Sequence, residues 1–321
     1  MRAVALGLLG LLLVATSPAH ADDDDTTICQ KRSAPDAGRS AACERLIASP
    51  DTSDAARTKA LLATADLFSK ARRLPEQFDA LNRAVKSDPT SWEALDRRGV
   101  MKDWYGHDRP GALADLDQAI KLRPTDYEVF THRGDIRGSE GDYDGAIADY
   151  DMAIQVVALT SSALLGRGRA KLLKRDYDGA IADLTRAINA NSGWTALALA
   201  RRCDAWLGIG KIGAALEDCN RSIQRANQVP SSYAMRGRVH AASGDFDSAI
   251  ADFNIAIERN SNVAAFYEGR GEAFEAKKNF DNARADYQTA TTKTQPWYSA
   301  EDRAAQQTAR DRLAKLPAAS R

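Results

Sequence analysis

Histidine and cysteine, which often carry acid–base chemistry or bind metals, are sparse in this chain. Beyond residue 21 the histidines are His107, His132 and His240, and no second histidine or cysteine stands at metal-ligand spacing from them. No Gly-x-Ser-x-Gly nucleophile motif occurs, and no pair of carboxylates stands out from the charged background. The sequence therefore predicts no catalytic residue, no metal ion and no cofactor, and a protein that is not an enzyme.

Two short motifs resemble functional ones, and both are predicted to be structural. Gly208–Gly213 reads Gly-Ile-Gly-Lys-Ile-Gly, but it lacks the Gly-Lys-Ser/Thr ending and the preceding strand of a phosphate-binding loop. We interpret it as a turn between helices. Arg133-Gly134-Asp135 spells a cell-adhesion tripeptide, which needs an exposed loop, whereas Gly134 stands in a predicted helix.

The first 21 residues have the pattern of a secretory signal peptide. Arg2 precedes the apolar run Ala3–Ala15, and Ala19-His20-Ala21 is a small-x-small cleavage site. A membrane anchor is the alternative, but the run is shorter than the ~20 residues that a spanning helix needs. We expect a mature chain that begins at Asp22, is periplasmic or secreted, and is not inserted in a membrane after cleavage.

The charge balance limits the classes of partner. The chain has 44 basic and 44 acidic residues, so its net charge at neutral pH is close to zero. Nucleic-acid-binding proteins usually carry a basic excess, and attachment to anionic lipid also needs one. The composition therefore favours a protein or peptide partner and no nucleic acid.

The sequence repeats every 34 or 35 residues. Gly141–Tyr150 reads Gly-Asp-Tyr-Asp-Gly-Ala-Ile-Ala-Asp-Tyr, and Arg175–Leu184 differs from it only at its first and last residues. Seven residues before the position of Gly141, each of six repeats has a small residue. These residues are Gly99, Gly134, Gly168, Cys203, Gly237 and Gly271.

Each unit is predicted to form two helices, called A and B below. In the second repeat, helix A is predicted over Asp126–Ser139 and helix B over Tyr143–Val156. Gly141 is expected to break the helical structure between them, and Asp142 to cap the N-terminus of helix B. The apolar residues of helix B are three and four positions apart, so they lie on one helical face.

This pattern resembles the tetratricopeptide repeat family. The match includes a small residue in helix A, Ala146 twelve residues later, an aromatic residue or leucine at the Tyr150 position, and Ala153 three further on. The resemblance implies an all-α fold, an α-solenoid of stacked helix-turn-helix repeats, with a concave groove lined by A helices. The predicted organisation begins with a signal peptide over 1–21, an N-terminal segment with a disulfide-linked half-repeat over 22–55, and a degenerate repeat over 56–90. Six repeats follow over 91–295. The chain then has a C-terminal capping helix and tail over 296–321, in which the helix is predicted over Ser299–Leu316.

Two sets of charged residues recur with the repeat. An arginine precedes each small position and an aspartate recurs in each helix B, as in Arg133 and Asp149. We expect a ladder of ion pairs between them; the alternative is a stripe of arginines that binds anions. Two residues past the arginines lie the candidate groove residues Asp135, Arg169, Asp204, Arg238 and Glu272. Their charges alternate, so they could also pair with one another.

The four cysteines are predicted to form two disulfides. Cys203 replaces the small residue of helix A and Cys219 replaces the large residue of helix B in the same unit, so they should face each other across the hairpin. Cys29 and Cys43 are expected to pair likewise. Buried free thiols are the alternative.

From these features we expect a non-enzymatic scaffold or adaptor of the bacterial cell envelope that binds a protein or peptide in its groove. The alternative is a structural or accessory subunit of an envelope complex that acts through its edges. The carboxylate clamp of lysines and asparagines found in some tetratricopeptide repeat domains is missing.

Overall fold

The computed structural model describes residues 19–293 and 300–317, and every regular element in these ranges is an α-helix. The predicted all-α fold is therefore confirmed. The predicted signal sequence lies outside the described residues except for Ala19–Ala21, where α1 begins. The chain divides into two compact units, one ending at Arg98 and one beginning at Gly99, and each is described separately.

The first unit consists of two helical hairpins and the start of a further helix. Its elements are α1 (Ala19–Gln30), α2 (Asp36–Ala48), α3 (Asp54–Lys70), α4 (Leu74–Ser87) and the first part of α5 (Trp92–Trp104). Helix α3 begins where the Ser53 side chain accepts a hydrogen bond from the Ala56 amide. The Cys29–Cys43 disulfide joins α1 to α2 with a Cα–Cα distance of 4.9 Å. This bond confirms the predicted pairing and lies in a buried cluster with Ala42 and Leu46.

The second unit contains the rest of α5 and twelve further described helices, stacked as hairpins. They are α6 (Arg109–Leu122), α7 (Tyr127–Glu140), α8 (Tyr143–Val156), α9 (Ser161–Leu173), α10 (Tyr177–Asn189), α11 (Thr195–Gly208), α12 (Ile212–Arg225), α13 (Pro230–Ala242), α14 (Phe246–Arg259), α15 (Ala264–Ala276), α16 (Phe280–Thr292) and α17 (Ala300–Lys315). Odd numbers from α7 to α15 are A helices, and even numbers from α6 to α16 are B helices.

The predicted helix ends agree closely with the structure because the capping residues determine them. Asp126 is the N-cap of α7, which therefore begins one residue later than expected, and Gly141 ends it in the left-handed region at φ 96°. Helix α8 spans Tyr143–Val156 as predicted, with the Asp142 side chain accepting a hydrogen bond from the Gly145 amide. The Gly208–Gly213 segment also forms the predicted turn, since α11 ends at Gly208 and α12 begins at Ile212.

Two of the hairpins pack through an aromatic residue of helix B that lies between glycines of two A helices. A Cβ added at Gly134 would lie 2.9 Å from the Tyr150 ring, and one added at Gly166 in the next unit would lie 2.5 Å from it. Phe253 has the same relation to Gly237 and Gly269. The aromatic ring therefore fits only because both its own repeat and the following repeat have glycine at the contact positions.

In the fourth repeat, a disulfide replaces this packing. Cys203 and Cys219 are both fully buried, and their Cα atoms are 5.6 Å apart across the α11–α12 hairpin. All four cysteines are bonded, so the alternative of free thiols is wrong. Met235, which stands where the aromatic units have Gly166 or Gly269, packs against this cluster. It fills volume that a ring occupies elsewhere.

Helix α17 lies at the C-terminal end of the repeats and packs against both α15 and α16. Its Ala309 is fully buried in a cluster with Tyr287 and Leu313. The described part of this helix spans Ala300–Lys315 and ends one residue before the predicted end. The predicted capping residue Ser299 lies outside the described residues.

Candidate partner-binding groove

The A helices of the second unit lie side by side, each in contact with the next from α7 to α15. One face of these helices lines three cavities of about 220, 700 and 570 Å³, in chain order, which are called the first, second and third cavities. Together they form the surface that we call the groove. The residues that line it come mainly from A helices because the B helices pack behind them.

All five predicted groove residues line these cavities. Asp135 lines the first cavity and Arg169 lines the first and the second. Asp204 lines the second, Arg238 the second and the third, and Glu272 the third. That a partner binds to them stays a prediction.

Several groove charges are paired within the chain. Arg238 donates from Nη1 to Oδ1 of Asp204 at 3.0 Å, which is the pairing between adjacent repeats that the alternating signs allowed. Glu272 forms an ion pair with Arg312 of α17 at 2.5 Å. Asp135 accepts a hydrogen bond from the Tyr150 hydroxyl at 2.7 Å. The carboxylate of Asp135 reaches water but is surrounded by protein on most sides, and this desolvation raises its pKa despite that hydrogen bond.

The first cavity has apolar walls and one prominent aromatic residue. Trp194, at the start of α11, is 52% exposed, which is high for a tryptophan. The other large apolar lining residues are Tyr143, Tyr150, Leu165, Leu173 and Leu197. Arg169 and Arg201 lie at the same cavity. An apolar side chain could enter here while polar groups bind the backbone or an acidic neighbour.

Sequence reasoning missed Trp194. It lies in a loop between two units, and the periodic pattern describes helices. The signal that could have revealed it is its position, 35 residues after Leu159, which is 63% exposed in the preceding loop. Two large apolar residues at equivalent loop positions have no role in the helical core.

The third cavity contains an acidic cluster that α17 partly neutralises. Glu272 and Glu275 both pair with Arg312, whose Nη1 lies 3.2 Å from Glu275. Burial and the neighbouring Glu272 raise the pKa of Glu268, which lines the second cavity, to about 7. Helix α17 also lines the second cavity through Asp302, Ala304, Ala305 and Thr308. The helix predicted as a polar cap therefore also contributes to the groove wall.

The predicted arginine–aspartate ladder is confirmed. Arg167 donates from Nε to Asp183 at 2.8 Å and also forms an ion pair with Asp151 of the preceding helix B at 2.5 Å. The same double attachment occurs at Arg133, Arg202, Arg236 and Arg270, where the second acceptor is Asp117, Thr185, Asn220 or Asn254. These guanidinium groups already have acceptors on both sides, which argues against the alternative of an anion-binding stripe. The ladder joins each hairpin internally and to its predecessor.

Metal-binding clusters and membrane-spanning helices are both missing from the described ranges. Residues 19–293 and 300–317 contain no cluster of three or more histidine, cysteine or acidic side chains arranged to hold a metal ion. In the same ranges, no helix has the length and apolar character that a bilayer crossing needs.

Comparison with protein families gives a match to the tetratricopeptide repeat. The family model aligns with residues 103–163, 133–193 and 234–296. Among proteins with curated descriptions, no sequence matches this chain.

Solved structures share the fold at low sequence identity. A tetratricopeptide repeat protein from Parabacteroides merdae superposes with a TM-score of 0.63 at 18% identity, covering 79% of this chain and 98% of the other. The Cut9–Hcn1 hetero-tetramer of the APC/C gives 0.56 at 16% identity, covering 85% of this chain but only 54% of the other. Pseudomonas aeruginosa pilF gives 0.52 at 14% identity, covering 64% and 91%.

Proposed function

We propose that this chain, a tetratricopeptide repeat protein, is a non-enzymatic adaptor of the bacterial cell envelope that binds a protein or peptide segment in its groove. An apolar side chain of the partner enters the first cavity against Trp194, and neighbouring charges of the groove determine its orientation. The partly exposed Trp194 beside an apolar cavity of about 220 Å³ is the observation that carries the proposal.

Trp194 has the properties of a binding hot spot. Interface energy is concentrated in a few residues, and tryptophan, tyrosine and arginine are enriched among them. The cavity combines Trp194 with Tyr143, Arg169 and Arg201. Gly138 and Gly166 also line this cavity.

The location outside the cytoplasm is supported by the two disulfides, which persist in oxidising compartments and are rare in the bacterial cytoplasm. The predicted signal sequence agrees with this location. N-terminal sequencing of the protein from the envelope should give a chain that begins at Asp22, and a chain that retains Met1 would contradict export with cleavage.

The groove is tested by selecting ligands from a random peptide display library with the mature chain and measuring their affinity by fluorescence anisotropy. Replacing Trp194→Ala should weaken binding at least about tenfold, as expected for truncation of a hot spot. Leu159→Ala is the matched control, because Leu159 occupies the equivalent loop position and does not line the first cavity. Arg169→Glu should also weaken binding, whereas Lys121→Glu on the exposed side of α6 should not.

A second candidate function, contact through the edges of the repeats, is favoured by one observation. Large apolar residues are exposed at the ends of two B helices and in the loop that follows: Leu122, Met152, Val156, Val157 and Leu159. If Leu159→Ala lowers partner affinity while Trp194→Ala leaves it unchanged, the edges rather than the groove bind the partner.

A further inference from the structure

The first unit contains a cavity of about 240 Å³ that is separate from the groove residues described above. It is lined by the end of α1, the segment before α2, the first turn of α2, one face of α3 and the first part of α5. Its charged lining residues are the cations Arg32, Arg39, Lys59 and Arg97 and the carboxylates Asp66 and Glu93. The cavity therefore has an excess of two positive charges.

Arg39 is the unusual member of this set because its residue is only 1% exposed. Its Nε donates to the Cys29 carbonyl oxygen at 3.2 Å. Asp36 forms a long ion pair with Arg39, with Oδ1 3.8 Å from Nη1, which is beyond hydrogen-bonding distance. Among the described residues, neither Nη1 nor Nη2 has a hydrogen-bond acceptor. Because Arg39 lines the cavity, water or a ligand in that space must supply the acceptors for these donors.

The disulfide of the first unit fixes the position of this guanidinium group. Cys29 is bonded to Cys43, and Arg39 lies on the same helix, one turn before Cys43. The Cys29 carbonyl that holds Nε is therefore tied covalently to the helix that carries Arg39. Such a side chain loses little freedom when it binds a ligand, which is a property of preorganised sites.

The remaining cations are not all neutralised. Arg97 is occupied, since its Nη2 donates to Asp66 at 2.6 Å and its Nη1 to the Leu62 carbonyl oxygen at 3.3 Å. Arg32 and Lys59 form no ion pair with any described residue, and both are exposed at the cavity. Donors from three separate elements thus line a space whose two carboxylates, Asp66 and Glu93, both pair with Arg97.

We propose that this cavity binds a compact oxyanion, a carboxylate or a phosphate group, which accepts hydrogen bonds from the free edge of Arg39 and is neutralised by Lys59 and Arg32. The planar fork of a guanidinium group matches the paired oxygens of both anions. The site lies within the first unit and does not depend on a ligand in the groove.

The test is isothermal titration calorimetry of the full mature chain with inorganic phosphate and, separately, with N-acetylglycine, at constant ionic strength. N-acetylglycinamide, which lacks the carboxylate, is the ligand control. We expect one site with a Kd of about 1 mM or tighter for at least one anion. Binding of phosphate alone identifies a phosphate source, and binding of N-acetylglycine alone identifies a carboxylate such as a chain terminus.

The protein variants decide whether the anion occupies this cavity. Lys59→Ala and Arg32→Ala should each weaken binding about tenfold, since each removes a charged contact. Lys86→Ala, an exposed lysine on α4 outside the cavity, removes the same charge and should leave the affinity unchanged. The proposal is overturned if neither anion shows saturable binding, or if Lys59→Ala and Arg32→Ala bind as the unchanged chain does. Arg39→Lys, checked for folding by circular dichroism, should also weaken binding because lysine lacks the fork.

Discussion

Replacing Gly166 by alanine tests how adjacent repeats pack. An added Cβ would lie 2.5 Å from Cζ of Tyr150, closer than atoms can approach. The Tyr150 ring is only 3% exposed, and its hydroxyl group is bonded to Asp135, so the ring has little room to move. Gly166→Ala should therefore force a shift between these two adjacent repeats and disturb a wall of the first cavity.

The magnitude follows from two opposing contributions. Over-packing of a buried site typically costs about 1–3 kcal/mol. Exchanging glycine for alanine within a helix contributes about 1 kcal/mol in the opposite direction. Gly138→Ala provides the comparison, because a Cβ there would meet its nearest neighbour, the Ala146 Cβ, at an ordinary 3.6 Å. The difference in unfolding free energy between the two variants should then be about 1–3 kcal/mol, since the helical contribution largely cancels.

The assay is urea unfolding followed by circular dichroism. A second substitution, Tyr150→Leu, should reduce the penalty of Gly166→Ala, because the repeats with a leucine or cysteine at that position are followed by His132, Arg201 or Met235 instead of glycine. The interaction between the two changes is read from a double-mutant cycle. If Gly166→Ala is as stable as Gly138→Ala, the proposed interlocking of ring and glycine is wrong.

Three further predictions concern the ladder, the disulfide and the cap. Burial raises the pKa of Asp183, but hydrogen bonds from Arg167 and Lys171 outweigh this and lower it below its ordinary value. Asp183 therefore stabilises the fold fully above its unfolded pKa of about 3.9, and this stabilisation is lost as the pH falls through the lower folded pKa. Asp183→Asn should lower the free energy of unfolding by about 2–3 kcal/mol at pH 7 and by less at pH 3, as measured by urea unfolding. Replacing Cys203 and Cys219 by the glycine and leucine of the preceding unit should cost roughly 3 kcal/mol in the same assay, while four free thiols in a denaturing, non-reducing titration of the purified protein would refute both bridges. Removing residues 299–321 should lower the melting temperature and promote aggregation, because terminal repeats need a polar outer face; unchanged melting would contradict a capping role.

The repeated part of the fold could be predicted from sequence because each signal recurs and acts locally. Asp142 and Gly141 define helix ends through their own backbone and side-chain bonds, so the boundaries of α8 follow from a few residues. The Cys203–Cys219 disulfide was predictable for a related reason. Both cysteines depart from the pattern within one hairpin, and the hairpin geometry brings their positions together.

The features that could not be predicted lie outside the period. Trp194 belongs to a loop, where no helical pattern indicates which side chain is exposed. Arg312 reaches the groove because α17 packs on α15 as well as on α16. The repeat pattern is interrupted after Thr292, so it does not predict this contact. The burial of Arg39 depends on how α1 and α2 cross, which the irregular N-terminal sequence does not encode in a periodic form.

The most direct test of groove binding is site-specific photo-crosslinking in living cells. A photoreactive phenylalanine analogue is placed at position 194 in one strain and at position 159 in another, and both proteins are exported and irradiated. The two positions are equivalent loop sites in successive units, but only the first lies at the first cavity. Groove binding predicts a crosslinked partner from position 194 and none from position 159. A partner captured only from position 159 would contradict it.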